Sequence, residues 1–502
     1  MTHTIKALAV ATLALGLSGC AAHQQRSQME AFNAAWVQGD YLGAAATMEA
    51  TATLTGGDKA EDKQLLELLH QAEAHRLAGD TTTAISLYDR AETGMKLDDT
   101  TGLAAGLLEG GKSVLLNDAE RDYTPMLAET VLVNTYKGLA FLQEGNGDHA
   151  RIEFNRADDR TRRAVDTFAE EIAAQQEAMD EEADDQQQSI RQSLESDELH
   201  ESIADNYGET SQWSVYPEFI VPSATYLHGL FFLASRDAGD LERAATSLKR
   251  VAEMSPGNRT LAADAKLATA LAAGKETREA LGNQVWVVYE NGLGPVAEET
   301  RFDVPLLLFH GNATSPAYTG IALPRYANRS AVSEPLTLRD DNGETIVPEP
   351  FSEMGKVIHT EMQARFPAVL GRAVASAAIK ALIQNAAAEE MGAVGQLGTA
   401  LFAAATTQAD LRSWQAIPDH WQVARVARPD SGRLTLEADG TALGELNLPD
   451  WPYTLVYVKR PSAHSPAQVS LIDLQGEHGG EQFSLHGTPS DNETDELVAD
   501  AT

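Results

Sequence analysis

The stretch "NQVWVVYENGLGPV", residues 283–296, divides the chain in two. Before it, Ala, Leu, Glu, Gln and Arg dominate and prolines are few, which is the composition of helices. Within it, Val285, Trp286, Val287, Val288 and Tyr289 are β-branched or aromatic, and a Gly/Pro turn follows, so a strand begins here. Beyond it, "RFDVPLLLFH" (301–310) and "EPLTLRDDNGETIVPE" (334–349) continue the strand pattern. Asp341-Asn342-Gly343 is a hairpin turn, which also accounts for the neighbouring acids Asp340 and Glu344. Residues 351–412 interrupt the strands with an Ala-rich helical interval. Its segment 391–407 is uncharged and carries Gly392, Gly395 and Gly398. A bilayer span needs about 20 residues, so this segment reads as a packed helical hairpin. Short alternating strands then resume with "HWQVARVA", "GRLTLEAD", "GELNLPD" and "YTLVYVKR".

The helical half has a recurring punctuation. Gly39-Asp40, Gly79-Asp80, Gly145 and Gly239-Asp240 each precede a small and a large residue at offsets of five and nine; at offset twelve Ala91 and Ala157 are small, while the first segment departs with Thr51 and the fourth has Val251. Examples are Ala84, Tyr88 and Ala91, or Ala150, Phe154 and Ala157. Glycine permits the left-handed turn that closes one helix. The small positions let the next helix pack closely against its predecessor. This pattern resembles the tetratricopeptide (TPR) repeat, with Ala72, Gly138 and Phe141 at the corresponding positions of the preceding helices. The glycine spacings of 40, 66 and 94 residues are irregular, so the pairs do not form a tandem superhelix. The resemblance implies a partner groove on the inner face of the first helices, through Trp36, Arg76 and Arg236, with Leu142 at the equivalent position.

Composition narrows the function classes. The net charge is −36, with 74 acidic against 38 basic residues. An acidic surface repels phosphate backbones, so no nucleic acid is expected as a partner. Cys20 is the one cysteine, which excludes an intrachain disulfide framework and a cysteine zinc site. Thirteen histidines show no metal-ligand spacing, and no nucleophile, phosphate or dinucleotide motif is present. No enzyme activity, metal or cofactor is expected.

Lys6 and the apolar run 7–19 read as a secretory signal. The run ends in Leu17-Ser18-Gly19-Cys20, which resembles the lipobox of bacterial lipoproteins. That resemblance implies cleavage before Cys20 and acylation of its thiol, and Ala21 at the next position implies sorting to the outer membrane. The β-rich half resembles an immunoglobulin-like or transthyretin-like sandwich. The combination is similar to a family of Gram-negative outer-membrane lipoproteins with TPR-like helical repeats.

The expected fold is multidomain α + β: an irregular TPR-like α-helical hairpin array followed by a β-sandwich-like module with a helical insertion. The expected boundaries are a signal peptide at 1–19, a TPR-like helical domain at 20–283 and a β-rich module at 284–475. Residues 165–210 are expected to form an acidic helix extension or linker, and 476–502 an acidic disordered tail. The expected function is that of a lipid-anchored, periplasm-facing scaffold or adaptor for protein partners of the cell envelope. The alternative is ligand or glycan binding, or hydrolysis, through the β-rich module, with Trp286, Trp414 and Trp451 as contacts.

Overall fold

A computed structural model describes residues 26–52, 65–108, 123–180, 184–310, 313–329, 331–332 and 334–486. The signal peptide, the residues Leu17, Ser18, Gly19, Cys20 and Ala21, and the last part of the tail lie outside them. The described chain is mixed α/β, with helices in the first half and several sheets in the second. Helices α1 (26–37) and α2 (Tyr41–Ala52), α3 (Leu65–Leu77) and α4 (Thr81–Leu108), and α5 (Leu127–Gln143) and α6 (Gly147–Arg162) form three pairs. Their turns place Gly39, Gly79 and Gly145 at φ 76°, 86° and 70°, a region that a Cβ disfavours. The described residues at these offsets are buried: Ala44 and Met48, Ala84, Tyr88 and Ala91, and Ala150, Phe154 and Ala157. A Cβ on Gly138 would stand 3.1 Å from the Phe154 ring, so the small residue of one helix receives the large residue of the next. Helices α7 (Ala164–Asp180), α8 (Asp184–Leu194) and α9 (Asp197–Asn206) follow, then α10 (Pro222–Ala234), α11 (Leu241–Met254) and α12 (Arg259–Ala272). The fourth turn differs from the first three. Gly239 sits in a 3₁₀ turn, Ala238–Asp240, and its N–H is capped by the Asp237 carboxylate.

The strands of the second half are β1 (Gln284–Asn291), the long pair β2 (Val296–His310) and β3 (Ala313–Ala327), β4 (Leu336–Arg339), β5 (Thr345–Ile346) and β6 (Glu349–Glu353). After helix α13 (Met354–Thr406) come β7 (His420–Ala427), β8 (Arg433–Ala438), β9 (Thr441–Asn447), β10 (Tyr453–Arg460), β11 (Ala467–Asp473) and β12 (Glu481–Leu485). The main sheet has the order β12-β11-β10-β1-β7-β6, with β1 and β10 parallel at its centre. Alternation along a strand then assigns each side chain a face. Val285, Val287 and Tyr289 share a core with Val456 and Val458 and with Leu336, Leu338, Leu434 and Leu436 of the second sheet, β5-β4-β8-β9. Trp286, Val288, Leu455 and Tyr457 face the other way, into the helices. Both faces of β1 are therefore covered, which is why its sequence is apolar without alternation. Each such Val or Leu contributes about 1.5–3 kcal/mol by leaving water.

The division at residue 284 is one of secondary structure, not of packing. A single hydrophobic core runs from Phe32 of α1 to Leu474 just after β11, so the expected separation into a helical domain and a β domain gives way to one shared interior. The stretch expected to be a disordered tail also differs, because residues 481–485 form the edge strand β12. Gln482 donates to the carbonyls of Arg76 and Leu77, which ties this strand to the second helical turn.

Strands β2 and β3, fifteen residues each, pair with one another alone among the described strands and form an arm. Phe302, Val304, Leu306, Ile321 and Leu323 pack against Leu370, Val374 and Ala378 of α13, and against Ile190 of α8 and Leu199 of α9. The acidic segment is thus helical, and α8 and α9 brace the arm. Tyr207 after α9 donates to the Pro324 carbonyl. Lys380 Nζ donates to Thr407 Oγ1 at 3.3 Å. A straight helix would hold those residues roughly 40 Å apart, so the path of α13 reverses between them and its end returns to the base of the arm.

Candidate functional site

Two polar centres stand out, one sealed and one open. The sealed centre lies where α3 rests on the main sheet. The parallel register sets Glu290 of β1 beside Lys459 of β10, both on the face turned to the helices, and their charges meet at 2.8 Å. Arg76 donates Nε and Nη2 to Glu73 at 2.7 and 2.8 Å. Tyr88 also donates to Glu73, and Lys459 reaches it at 3.3 Å. Glu290 Oε1 accepts from Tyr136, Tyr457 and Trp421. The four charged side chains are at most 1% exposed. Burial alone would raise the Glu73 carboxyl, but Arg76 and Lys459 outweigh it and hold the group below its ordinary value. Burial and the adjoining carboxylates keep Tyr88, Tyr136 and Tyr457 neutral as donors.

This centre decides the groove expected on the helical pairs. Trp36 and Arg76 are 0% exposed. Lys459 Nζ lies 5.1 Å from the Trp36 ring, and the Arg76 guanidinium stacks over Tyr136 at 5.0 Å. Leu142 is likewise buried. Arg236 is elsewhere, 71% exposed and paired with Glu477 of the β11–β12 loop. The three residues therefore do not line one open groove, because the main sheet occupies the inner face of the helices. Even the turns are covered. A Cβ on Gly39 would strike Pro466, and one on Gly145 would stand 2.9 Å from the backbone of His478 and Gly479. Trp286, Trp414 and Trp451 are buried as well, so they present no stacking surface to a glycan.

The open centre lies at the base of the arm. A cavity of about 540 Å³ is bounded by α1 through Arg26, Met29, Glu30 and Asn33, by β2 through Glu299 and Arg301, and by residues 408–415 after α13. Its walls carry both signs of charge. Asp410 binds the Arg412 guanidinium through both oxygens, at 2.8 and 2.7 Å. Carboxamides of Asn33, Gln408 and Gln415 lie among Met29, Leu66 and Leu411. A second cavity of about 140 Å³ lies on the other side of the same segment, between Tyr123, Tyr326, Met362 and Arg365, and shares Asp410 and Arg412.

The segment 408–415 is thus a strap between two cavities, and side chains from three other elements hold three of its amides. Ala409 N–H donates to Glu299, Trp414 N–H to Glu129 and Gln415 N–H to His70 Nε2. Arg329 donates to the Gln415 and Gly294 carbonyls, and burial among neutral acceptors lowers it to about 10. Burial lowers His70 to about 4, so it stays neutral and accepts. Glu129 also receives Tyr123 OH and the Met126 N–H at the start of α5. Glu361 of α13 binds the next two amides, Leu127 and Ala128. Burial, reinforced by Glu361, raises Glu129 to about 7 against the pull of its hydrogen bonds. Two carboxyls on one helix N-terminus, where the amides are unpaired and the dipole is positive, join α13, the strap and the helical layer.

Sequence reasoning missed these groups. The available signal was a charge interrupting an apolar run: Glu129 in "MLAETVLV", Glu290 in "VWVVYE" and Lys459 in "TLVYVKR". Among the described residues no three His, Cys, Asp or Glu are grouped to hold a metal ion. No protein-family model matches the chain, and no curated protein or solved structure is similar to it.

Proposed function

We propose that the protein is an adaptor tethered to the periplasmic face of the outer membrane through acylated Cys20, and that it grips an extended peptide segment of an envelope protein at the base of the arm. The observation that carries the reading is the open cavity. Its 540 Å³ falls within the usual range for ligand sites, about 300–1,000 Å³. Its mixed charges and carboxamides suit a polypeptide, which offers both signs and alternating N–H and C=O groups. The paired helices are read as an irregular TPR-like array and the two facing sheets as a β-sandwich-like module. The left-handed turn glycines and the buried small–large–small positions support the first, and the core shared by the two sheets supports the second. In this reading the helical array shapes a wall of the site rather than a groove of its own.

Cross-linking and capture from detergent-solubilised envelopes tests the proposal. The lipidated protein should retain a partner that the double variant Arg26→Glu/Glu30→Arg loses, while Arg236→Ala, at an exposed turn, retains it. Capture indifferent to the cavity variant overturns the peptide site. Acyl labelling that persists in Cys20→Ser overturns the anchor.

A further inference from the structure

The charges in the wall of the open cavity cancel: Arg26, Arg301 and Arg412 stand against Glu30, Glu299 and Asp410. Asp410 holds Arg412 through both oxygens, and Glu299 lies 3.8 Å from Arg301. One further cation stands just behind this wall. Arg329 directs its nitrogens at neutral oxygens: Nε at the Gly294 carbonyl (2.6 Å), Nη2 at the Gln415 carbonyl (2.8 Å) and Nη1 at Asn33 Oδ1 (3.3 Å). Among the described residues no carboxylate pairs with it, and burial is what lowers it. A guanidinium still keeps its charge near neutral pH, and this one reaches across the strap to oppose protonation of His70. Asn33 and Gln415 carry the charge into the cavity that both of them line. Asn33 accepts from Arg329 and donates Nδ2 to Gln415 Oε1 at 2.7 Å. Each bond in such a chain polarises the next. The chain ends at Gln415 Nε2, whose protons have no partner among the described residues, since the bonds of this residue run through Oε1, N and O. Two residues earlier, Ser413 lines the same cavity and is 6% exposed, and its Oγ has no hydrogen-bond partner among the described residues. A buried hydroxyl left in that state calls for a group that completes it.

We propose that Gln415 Nε2 and Ser413 Oγ form a seat for a carboxylate, charged from behind by Arg329, and that the peptide held at the base of the arm is recognised through such a group, at its C-terminus or on an acidic side chain; this rests on the reading of the cavity as a peptide site. The donor set selects the ligand chemistry. The surplus charge is positive, and the open groups are donors, so the occupant is an anion. A single cation, one carboxamide removed from the cavity, offers no bidentate fork of the kind that grips phosphate. It suits a singly charged group, and the carboxylate is the anion that every polypeptide carries. The net charge of −36 repels anions from the body as a whole, which confines binding to this short-range seat. Arg329 is here a positioning residue: it acts through Asn33 and Gln415 and does not touch the ligand.

Fluorescence anisotropy on the lipidated protein in detergent tests the seat with three pools of randomised hexapeptides, all labelled at the N-terminus. The first pool is neutral in its side chains and ends in a free carboxylate. The second is amidated and carries one Glu, and the third is amidated and has no acid. The first or the second should bind about tenfold or more tightly than the third, and whichever does so identifies the source of the carboxylate. Ser413→Ala removes a hydroxyl that has no partner and should reduce the preference about threefold or more. Gln415→Glu should abolish the preference. It gives the Arg329 charge a carboxylate one carboxamide away, so its melting temperature should be no lower than that of the native chain, which separates lost recognition from lost fold. Equal binding of the three pools that still depends on Arg26 and Glu30 overturns the seat and leaves the peptide site standing; binding of none overturns both. A preference that survives either variant, or a Gln415→Glu chain that melts below the native one, overturns the seat as well.

Discussion

Replacing Arg76 by Ala tests whether the inner face of the helices is closed. The guanidinium makes two hydrogen bonds to Glu73 at 2.7 and 2.8 Å and stacks over Tyr136 and Tyr457 at 5.0 and 5.6 Å. Truncating one partner of a buried ion pair costs about 3–5 kcal/mol, chiefly because the other charge remains in the interior. Glu73 keeps Lys459 at 3.3 Å and the Tyr88 hydroxyl, so the expected loss is at the lower end, about 3 kcal/mol. That is roughly a hundredfold in the unfolding equilibrium. Urea unfolding followed by tryptophan fluorescence reads it directly. The double variant Glu73→Leu/Arg76→Met removes both charges and should recover most of the loss. A loss below about 1 kcal/mol for Arg76→Ala, the scale of an exposed pair, would place Arg76 in solvent and refute the closed face.

Three further outcomes follow from other contacts. Glu129 is raised from 4.5 to about 7, so the folded state holds a proton that the unfolded chain has released. Stability should therefore fall as pH rises from about 4.5 to about 7, by roughly 3 kcal/mol, and calorimetry should find this slope absent in Glu129→Gln. Glu92 has the opposite sign. Burial would raise it, but Lys137, Arg156 and Arg160 bring it to about 2, so its contribution is lost as pH falls from about 4.5 to about 2, and Lys137→Met should shift that loss to higher pH. Gly145→Ala should cost more than Gly208→Ala: both sit at positive φ, 70° and 91°, but only the Gly145 Cβ meets backbone, while Gly208 faces open space. Equal melting shifts would show that the turn does not dock on residues 478–479.

Much of the fold was legible because local chemistry decides it. The turn glycines, the +5/+9/+12 positions and the Asp341-Asn342-Gly343 hairpin follow from backbone freedom and helical periodicity, and Gly343 indeed closes its turn onto the Asp340 carbonyl. The change of character at residue 284 is likewise local. What packs on the helices is not. Apolar small–large–small faces serve equally well against another helix or a sheet, so nothing in the spacing of Trp36 and Arg76 distinguishes an open groove from a covered one. Residues 481–485 read as acidic tail although their strand partner, β11, is near in sequence; the contacts that tie Gln482 to the helices, the carbonyls of Arg76 and Leu77, are some four hundred residues away. The cavity was invisible for the same reason. Its walls come from α1, β2 and the strap, which are adjacent only after the arm has folded.

The closed helical face also orders events in time. During synthesis the helices emerge well before their cover. Glu73 and Arg76 are complete as a pair in α3, yet Lys459 is 386 residues later, and the bond from Ser465 to the Val37 carbonyl spans 428. Contacts so distant in sequence slow folding, because the loop must be closed before they repay it. Until β10–β12 arrive, the first three helical pairs present an apolar surface with charges at its centre. The last strands are therefore a clasp: premature termination anywhere before β12 would leave the earliest-made part of the molecule the most exposed.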